Sequence, residues 1–281
     1  MCGIATIAIG RHSRGRIPYD RLRALTRELL IELQPRGYDA SGIAVINEPG
    51  TEESWVFKKP LRPESLVRRP KFEQTLQKIS PHTNFIMLHS RWTTIGAATA
   101  NFNNHPIIIP NFIGIHNGTL DNDDKLFEEH KDDFERGGEV DSEAIFRLFG
   151  HHTDLGLDPQ MAMQHTAAQL EGAFTGAVLD WRHPRRMVMF KFERPLSLIR
   201  IPYYDMVVTV SESKFWERAS RRLKIKVQDK ISYVEDKTGL LFDLNAEGKL
   251  VDTLVDFKLP VQDNGRLGRR HNGWFSHYYA G

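Results

Sequence analysis

The 281-residue sequence contains a single cysteine, Cys2. One thiol excludes an internal disulfide and suits a reducing compartment. Long hydrophobic runs are missing too: no stretch approaches the ~20 apolar residues that a membrane helix requires. The opening segment carries no positive region ahead of its short apolar run, so it does not read as a signal peptide. Net charge is nearly absent, since 38 Lys+Arg oppose 36 Asp+Glu and leave +2. Phosphate neutralisation needs a concentrated basic face, which makes nucleic acid a poor expectation. The chain reads as soluble and cytoplasmic, with neither a membrane nor a nucleic-acid partner.

What is present suits a packed core. Hydrophobic residues make up 40% and charged residues 26%, an ordinary globular balance. Residues 2–10 are small, apolar or β-branched and end at Gly10, as in a buried strand. Leucines at 22, 25, 29 and 33 have helical spacing, with Pro18 suited to the first turn. Strands are predicted at 42–46, 54–58, 85–89 and 112–116, the last running into a turn at Asn117-Gly118. One helix is predicted around 64–78. Asp121 and Asp141 stand where helix N-caps belong. After Gly172, strands follow at 173–180, 187–192, 196–199 and 206–210, a helix near 213–220, and further strands at 231–235, 239–244 and 250–257. Strands, then helices, then strands predict an α+β fold of antiparallel sheets, with one domain over residues 2–258.

The remainder, 259–281, differs. Within Val261–Gly281, Arg266, Arg269 and Arg270 oppose only Asp263, and Trp274, Phe275, Tyr278 and Tyr279 are interspersed with four glycines. It reads either as a solvated tail or as a docking segment, since Arg and aromatics are the residues interfaces prefer.

Cys2 stands one cleavage from the N-terminus. Loss of Met1 would join a thiol nucleophile to a free α-amine, whose pKa of about 7.7–8.0 suits a general base near neutral pH. Such a residue needs no His or Asp partner. Gly3 would leave the adjoining backbone open to substrate. The competing reading is a small buried cysteine in a first strand.

Further stretches bear on that choice: "CGIATIAIG" at 2–10, "RGYDASGIAV" at 36–45, "HSRWTTIG" at 89–96, "NNHP" at 103–106, "HNGTLDN" at 116–122 and "DSEAIF" at 141–146. In this order the sequence resembles the class II glutamine amidotransferases, N-terminal-nucleophile hydrolases, and among them the glutaminase domain of the sugar-type synthases. The likeness runs over roughly residues 2–257. Ile95 stands where those sugar-type enzymes usually carry His. The resemblance implies a four-layer αββα sandwich, no cofactor, no metal, and glutamine as substrate.

The residue types fit that chemistry. Glutamine offers an α-carboxylate, an α-ammonium and an amide, so its site needs a cation, an anion and an oxyanion stabiliser near the nucleophile. Arg91 is the carboxylate candidate because guanidinium matches that group bidentately. Asp141 is the ammonium candidate, a role compatible with an N-cap. Asn117-Gly118 by itself reads as a hairpin turn. Behind Cys2 and Arg91 it reads as the oxyanion hole, with Gly118 free to adopt φ > 0. Arg36 either follows a helix end capped at Gly37 or, as the resemblance implies, positions the nucleophile. Trp92 and Thr94 begin a stretch of small residues that suits a lid over substrate. His116 is grouped with the substrate-binding residues, although packing or loop roles compete for it as for His89 and His105. The spacing of these three histidines fits no compact metal site.

The leading expectation is a stand-alone glutaminase subunit that passes ammonia to a separate acceptor enzyme, with homo-oligomerisation open. The alternatives are an N-terminal-nucleophile amidase on another γ-glutamyl or amide substrate, and a non-catalytic glutamine-binding regulator.

Overall fold

A computed structural model describes residues 1–225 and 229–261. Its strands are β1 (Gly3–Ile9), β2 (Ala40–Asn47), β3 (Trp55–Lys59), β4 (Thr83–Arg91), β5 (Ile107–Ile109), β6 (Phe112–Leu120) and β7 (Gly172–Asp180), then β8 (Arg186–Phe192), β9 (Ser197–Ile201), β10 (Met206–Val210), β11 (Lys230–Tyr233), β12 (Thr238–Asp243) and β13 (Val255–Lys258). The helices are α1 (Tyr19–Glu32), α2 (Pro63–Leu66), α3 (Pro70–Gln77), α4 (Asp123–Glu129), α5 (Ser142–Asp154), α6 (Pro159–Gln169), α7 (Ser213–Arg222) and α8 (Leu250–Thr253).

The strands form two antiparallel sheets. One has the order β11-β9-β10-β1-β4-β2-β3, and the other β13-β12-β8-β7-β6-β5. Successive strand residues point to opposite faces, and β1 shows the result. Ala5, Ile7 and Ile9 join Leu22, Leu25 and Leu29 of α1 and Phe215 and Trp216 of α7 in one core. Ile4 and Ala8 face the other way and meet Ile113, Ile115, Met187 and Met189 of the second sheet. A third core lies outside that sheet, where Phe174, Val178 and Phe190 pack under Phe146 and Phe149 of α5 and Ala162 and Met163 of α6. The layers are therefore α, β, β, α, as expected. Each fully buried leucine contributes on the order of 2 kcal/mol.

Some local expectations change. The helix expected over 64–78 is two helices, because Pro70 forces Arg69 into extended backbone (φ −81°, ψ 136°). Asn117-Gly118 is not a turn: β6 continues to Leu120, with Asn117 opposite Thr175 and Gly118 opposite Phe174 on β7. The N-cap of α4 is Asn122 rather than Asp121. The expected strand at 250–257 divides into α8 and β13. Leu259 and Val261 are buried in the core beneath α5 and α6, and the rest of the expected docking tail, 262–281, lies outside the described residues. Among the described residues no helix is long and apolar enough to cross a membrane.

Candidate active site

Cys2 leads into β1, the central strand of the seven-stranded sheet. Gly3 registers with Ser90 and Ile4 with His89, which brings Cys2 beside Arg91 at the end of β4. The Cys2 thiol donates to the carbonyl oxygen of Trp92 at 3.6 Å. Burial pushes this thiol above its ordinary pKa. The α-ammonium of Met1 is pushed down, by burial first and then by the charges of Arg36 and Arg194. The thiol keeps its proton until a base removes it. Gly3 is not open to substrate. A Cβ there would lie 2.6 Å from Ser90 Oγ and 3.0 Å from the Leu33 carbonyl, so glycine serves close packing next to Cys2.

Arg36 ends the short 3-10 turn Gln34–Arg36 that follows α1. Its Nε donates to the Cys2 carbonyl at 2.8 Å, and its Nη1 donates to Glu212 Oε1 at 2.7 Å. Burial would raise the Glu212 carboxyl, but hydrogen bonds from Lys214 and Arg36 outweigh it and hold the carboxyl below its usual value. Gly37 is extended (φ −173°) rather than a left-handed cap. A Cβ on it would sit 2.4 Å from the Arg91 carbonyl carbon, so glycine permits two backbones to touch. Next to it, the Asp39 N–H donates to the Arg91 carbonyl at 3.0 Å and the Asp39 carboxylate accepts from the Thr93 N–H at 2.7 Å.

Arg91 is only 3% exposed. Three of its N–H groups are committed: Nη1 to Asn104 Oδ1 at 2.8 Å, and Nη2 to the carbonyls of Ile95 (2.6 Å) and Gly96 (2.9 Å). The segment from Trp92 to Asn104 is thus wound around the guanidinium. Glu139 ties it from the other side, accepting from the Ala97 N–H at 3.1 Å and Asn103 Nδ2 at 2.7 Å. Within this loop Trp92 is 42% exposed and meets Tyr38 edge-on at 5.0 Å. Thr94 is exposed.

The second sheet supplies the opposite wall. His89 Nε2 lies 3.0 Å from the His116 carbonyl, which sets β6 against the strand that registers with Ile4. The next residue, Asn117, is 1% exposed, and neither atom of its carboxamide has a partner. Buried polar groups are almost always paired, so this one is available to a ligand. Gly118 is not among the residues of positive φ. A Cβ on it would approach the Ala173 carbonyl to 1.9 Å and His116 Nε2 to 2.6 Å. His116 is itself buried, with Nδ1 2.8 Å from Ser142 Oγ, and is placed to brace β6 from beneath. Asp141 occupies the N-cap position of α5 but does not cap it. Its Oδ2 instead accepts from the Leu120 N–H at 2.8 Å, which fixes the end of β6 to the start of α5.

Beneath these groups, the rings of His89 and His105 stack at 4.1 Å. Burial lowers His89 to about 3 and His105 well below its ordinary value. Lys58 donates to the carbonyls of Asn104 (2.6 Å) and Pro106 (2.8 Å), and burial lowers its pKa to about 8. The structure thus brings Cys2, Arg36, Arg91 and Trp92 together at one end of the central strands, with Asn117, Gly118 and Asp141 on the facing sheet. Sequence reasoning gave no role to Asp39, Asn103, Asn104, Glu139 or Glu212. The first three lie in "RGYD" and "NNHP", stretches already singled out. Glu212 has no local sequence signal.

No family model matches the chain. The glutamine–fructose-6-phosphate aminotransferase (isomerizing) of Staphylococcus aureus is 29% identical over 204 residues, covering 70% of this chain and 30% of that protein. The protein of the same description from Sulfurisphaera tokodaii is 29% identical over 267 residues, 90% of this chain and 41% of that one. The chain thus spans less than half the length of the curated relatives it matches. Among solved structures, the glutamine phosphoribosylpyrophosphate amidotransferase of B. subtilis superposes with a TM-score of 0.65 at 17% identity, covering 92% of this chain and 49% of that one. A structure described as the allosteric regulatory enzyme of purine biosynthesis gives 0.69 at 16%, over 94% and 50%. The ordered motifs and the curated relatives agree in their likeness to the class II glutamine amidotransferases, and the four layers are the fold of the solved structures that superpose on this chain.

Proposed function

We propose that the chain hydrolyses glutamine to glutamate and ammonia through a thioester on Cys2, and that the ammonia goes to an acceptor enzyme on another polypeptide. The observation that carries the reading is the orphaned, buried carboxamide of Asn117 on the strand facing the Cys2 strand. With Met1 removed, the α-amine of Cys2 takes the thiol proton as sulfur attacks the side-chain amide carbon. The amide oxygen becomes an oxyanion, held by Asn117 Nδ2 and the Gly118 N–H. The α-ammonium returns the proton to the leaving nitrogen and ammonia departs. Water, deprotonated by the same amine, then attacks the thioester and releases glutamate. Arg91 and Asp141 hold the substrate carboxylate and ammonium, Trp92 and Thr94 cover it, Arg36 fixes the Cys2 carbonyl, and His116 braces the oxyanion strand.

Ammonia released to neutral water is protonated and is no longer a nucleophile, so coupling to an acceptor is the chemical reason to produce it. The Arg- and aromatic-rich composition of 262–281 suits docking on such a partner. A diazoketone analogue of glutamine tests the core of the reading. It should add once, at Cys2, and Cys2→Ala should neither react nor turn over glutamine. Turnover at the parent rate by Cys2→Ala would end the proposal.

One observation favours a second reading. Three Arg91 N–H groups already serve the loop 95–104, which leaves fewer for a free carboxylate and would suit an amide substrate that lacks one. A panel of glutamine, γ-glutamyl amides and simple amides separates the two, since the first two carry both α-groups and simple amides carry neither.

A further inference from the structure

A second cluster of ionisable side chains lies away from Cys2, where the turn after α4 meets α5. His130 Nδ1 is 3.1 Å from Asp133 Oδ2, and His151 Nδ1 is 3.9 Å from Asp133 Oδ1. These ligand-type atoms all lie within 4.8 Å of one another. Tetrahedral zinc with bonds of about 2.0–2.1 Å holds its ligand atoms roughly 3.3 Å apart, so the three groups need only small shifts to enclose one ion.

The surroundings fix which nitrogen of His130 is free. Gln169 Nε2 lies 3.3 Å from the His165 carbonyl and 3.0 Å from His152 Nε2, and Gln169 Oε1 lies 3.1 Å from His130 Nε2. The carbonyl of His165 can only accept, so the donor end of the carboxamide faces it. The acceptor end then faces His130, whose Nε2 must carry the hydrogen. In neutral His130 the lone pair is on Nδ1, aimed at a carboxylate that also only accepts. Two acceptors at 3.1 Å require a cation between them. Ligating histidines characteristically donate their other N–H to a fixed acceptor, and Gln169 supplies that.

The geometry points to a site for a borderline divalent metal, Zn2+ by its donor set, held by His130 Nδ1, Asp133 and His151 Nδ1 with water completing the sphere. Asp133 is exposed and both histidines are half-buried, so ion and water have access. The metal would brace the turn after α4 against α5, about 14 Å along that helix from Ser142, and it takes no part in the amide chemistry. This inference does not rest on the amidotransferase reading.

The test uses the full chain with Cys2→Ser, so that the thiol cannot chelate. After treatment with a chelator, Zn2+ is titrated by calorimetry and Co2+ by visible absorption. One ion should bind with a dissociation constant below about 10 μM, and Co2+ should show the intense bands of a four-coordinate site. Asp133→Asn and His151→Gln should each weaken binding at least tenfold, and Gln169→Ala by a similar factor through loss of its hold on His130. Zn2+ should raise the melting temperature of the parent by several degrees and leave Asp133→Asn unmoved. Absence of uptake, or uptake unchanged in both ligand variants, would overturn the site. Loss of melting temperature in metal-free Asp133→Asn, with no Zn2+ effect on the parent, would make the cation a proton and the cluster an ion pair.

Discussion

The guanidinium of Arg36 reaches two places at once, the carbonyl of Cys2 through Nε and the carboxylate of Glu212 through Nη1. One planar group therefore sets the peptide that follows the Cys2 thiol. Arg36→Lys keeps the charge but loses the fork. It should lower kcat by roughly 10–10²-fold through misplacement of Cys2, with KM nearly unchanged. Glu212→Gln keeps a hydrogen-bond acceptor and should cost less. Steady-state kinetics of the two variants checks the ranking. Equal losses would mean that Arg36 acts through charge alone.

Asn117 separates catalysis from stability. Its carboxamide has no partner to lose, so Asn117→Ala should leave the melting temperature unchanged or raised. The same change should lower kcat by roughly 10²–10³-fold if Nδ2 meets the oxyanion. A strongly destabilised Asn117→Ala with normal kcat would place the residue in the scaffold. Gly118→Ala should do the reverse and destabilise first, because the new Cβ would lie 1.9 Å from the Ala173 carbonyl.

Arg91 holds the loop 95–104 and, in the proposed mechanism, the substrate carboxylate, so its removal should show two effects. Arg91→Ala should raise KM, since a carboxylate contact is made in ground and transition states alike. It should also release the loop from Trp92 to Asn104, read as faster limited proteolysis within 95–100. Asn104→Ala removes one loop contact and spares the guanidinium, so it should loosen the loop with a smaller KM change.

Acid should unfold the protein through its buried histidines. His89 titrates at about 3 in the fold against about 6.5 in an unfolded chain. Between those values the unfolded state binds more protons, so stability falls as pH drops from 6.5 towards 3. His89 alone contributes a slope of up to about 1.4 kcal/mol per pH unit. Denaturant titrations from pH 7 to pH 4 measure it, and His89→Asn should flatten the curve. Lys58 acts at the other end: with a folded value of about 8, its cost to the fold is relieved as pH rises from 8 towards 10.5.

A chain ending at Val261 keeps Leu259 and Val261 in their core and removes only 262–281. It should fold and hydrolyse glutamine as the full chain does, yet lose partner capture and the activation that acceptor substrate brings. Capture and activation equal to the full chain would make the tail a solvated end.

The layers were legible because strand and helix periods are written in apolar residues, as in 2–10 and the leucines of α1. Six short motifs in order contain most of the candidate site residues that the fold brings together. What escaped depends on pairing across the chain. Asn117-Gly118 has the composition of a turn, and only β7 alongside it extends the strand through that pair. From the sequence alone Gly3 reads as backbone open to substrate and Gly37 as a helix cap, whereas each marks a spot where another segment passes too close for a Cβ. α6 went unnoticed because PQMAMQHTAAQ has no sharp apolar stripe. Glu212 comes from a turn 176 residues beyond Arg36, a distance no local pattern spans.

The central place of β1 has a consequence for how the molecule breathes. β1 is hydrogen-bonded on both sides, to β10 and β4, and three strands separate it from each edge of its sheet. Edge strands fray by local opening, but the backbone amides of a central strand exchange their hydrogens only when larger units open. Amides of Ile4 to Ala8 should therefore be among the slowest in the molecule to exchange, and those of Lys230 to Tyr233 among the fastest in that sheet. Cys2 is thus attached to the part of the backbone that stays in register while the periphery fluctuates.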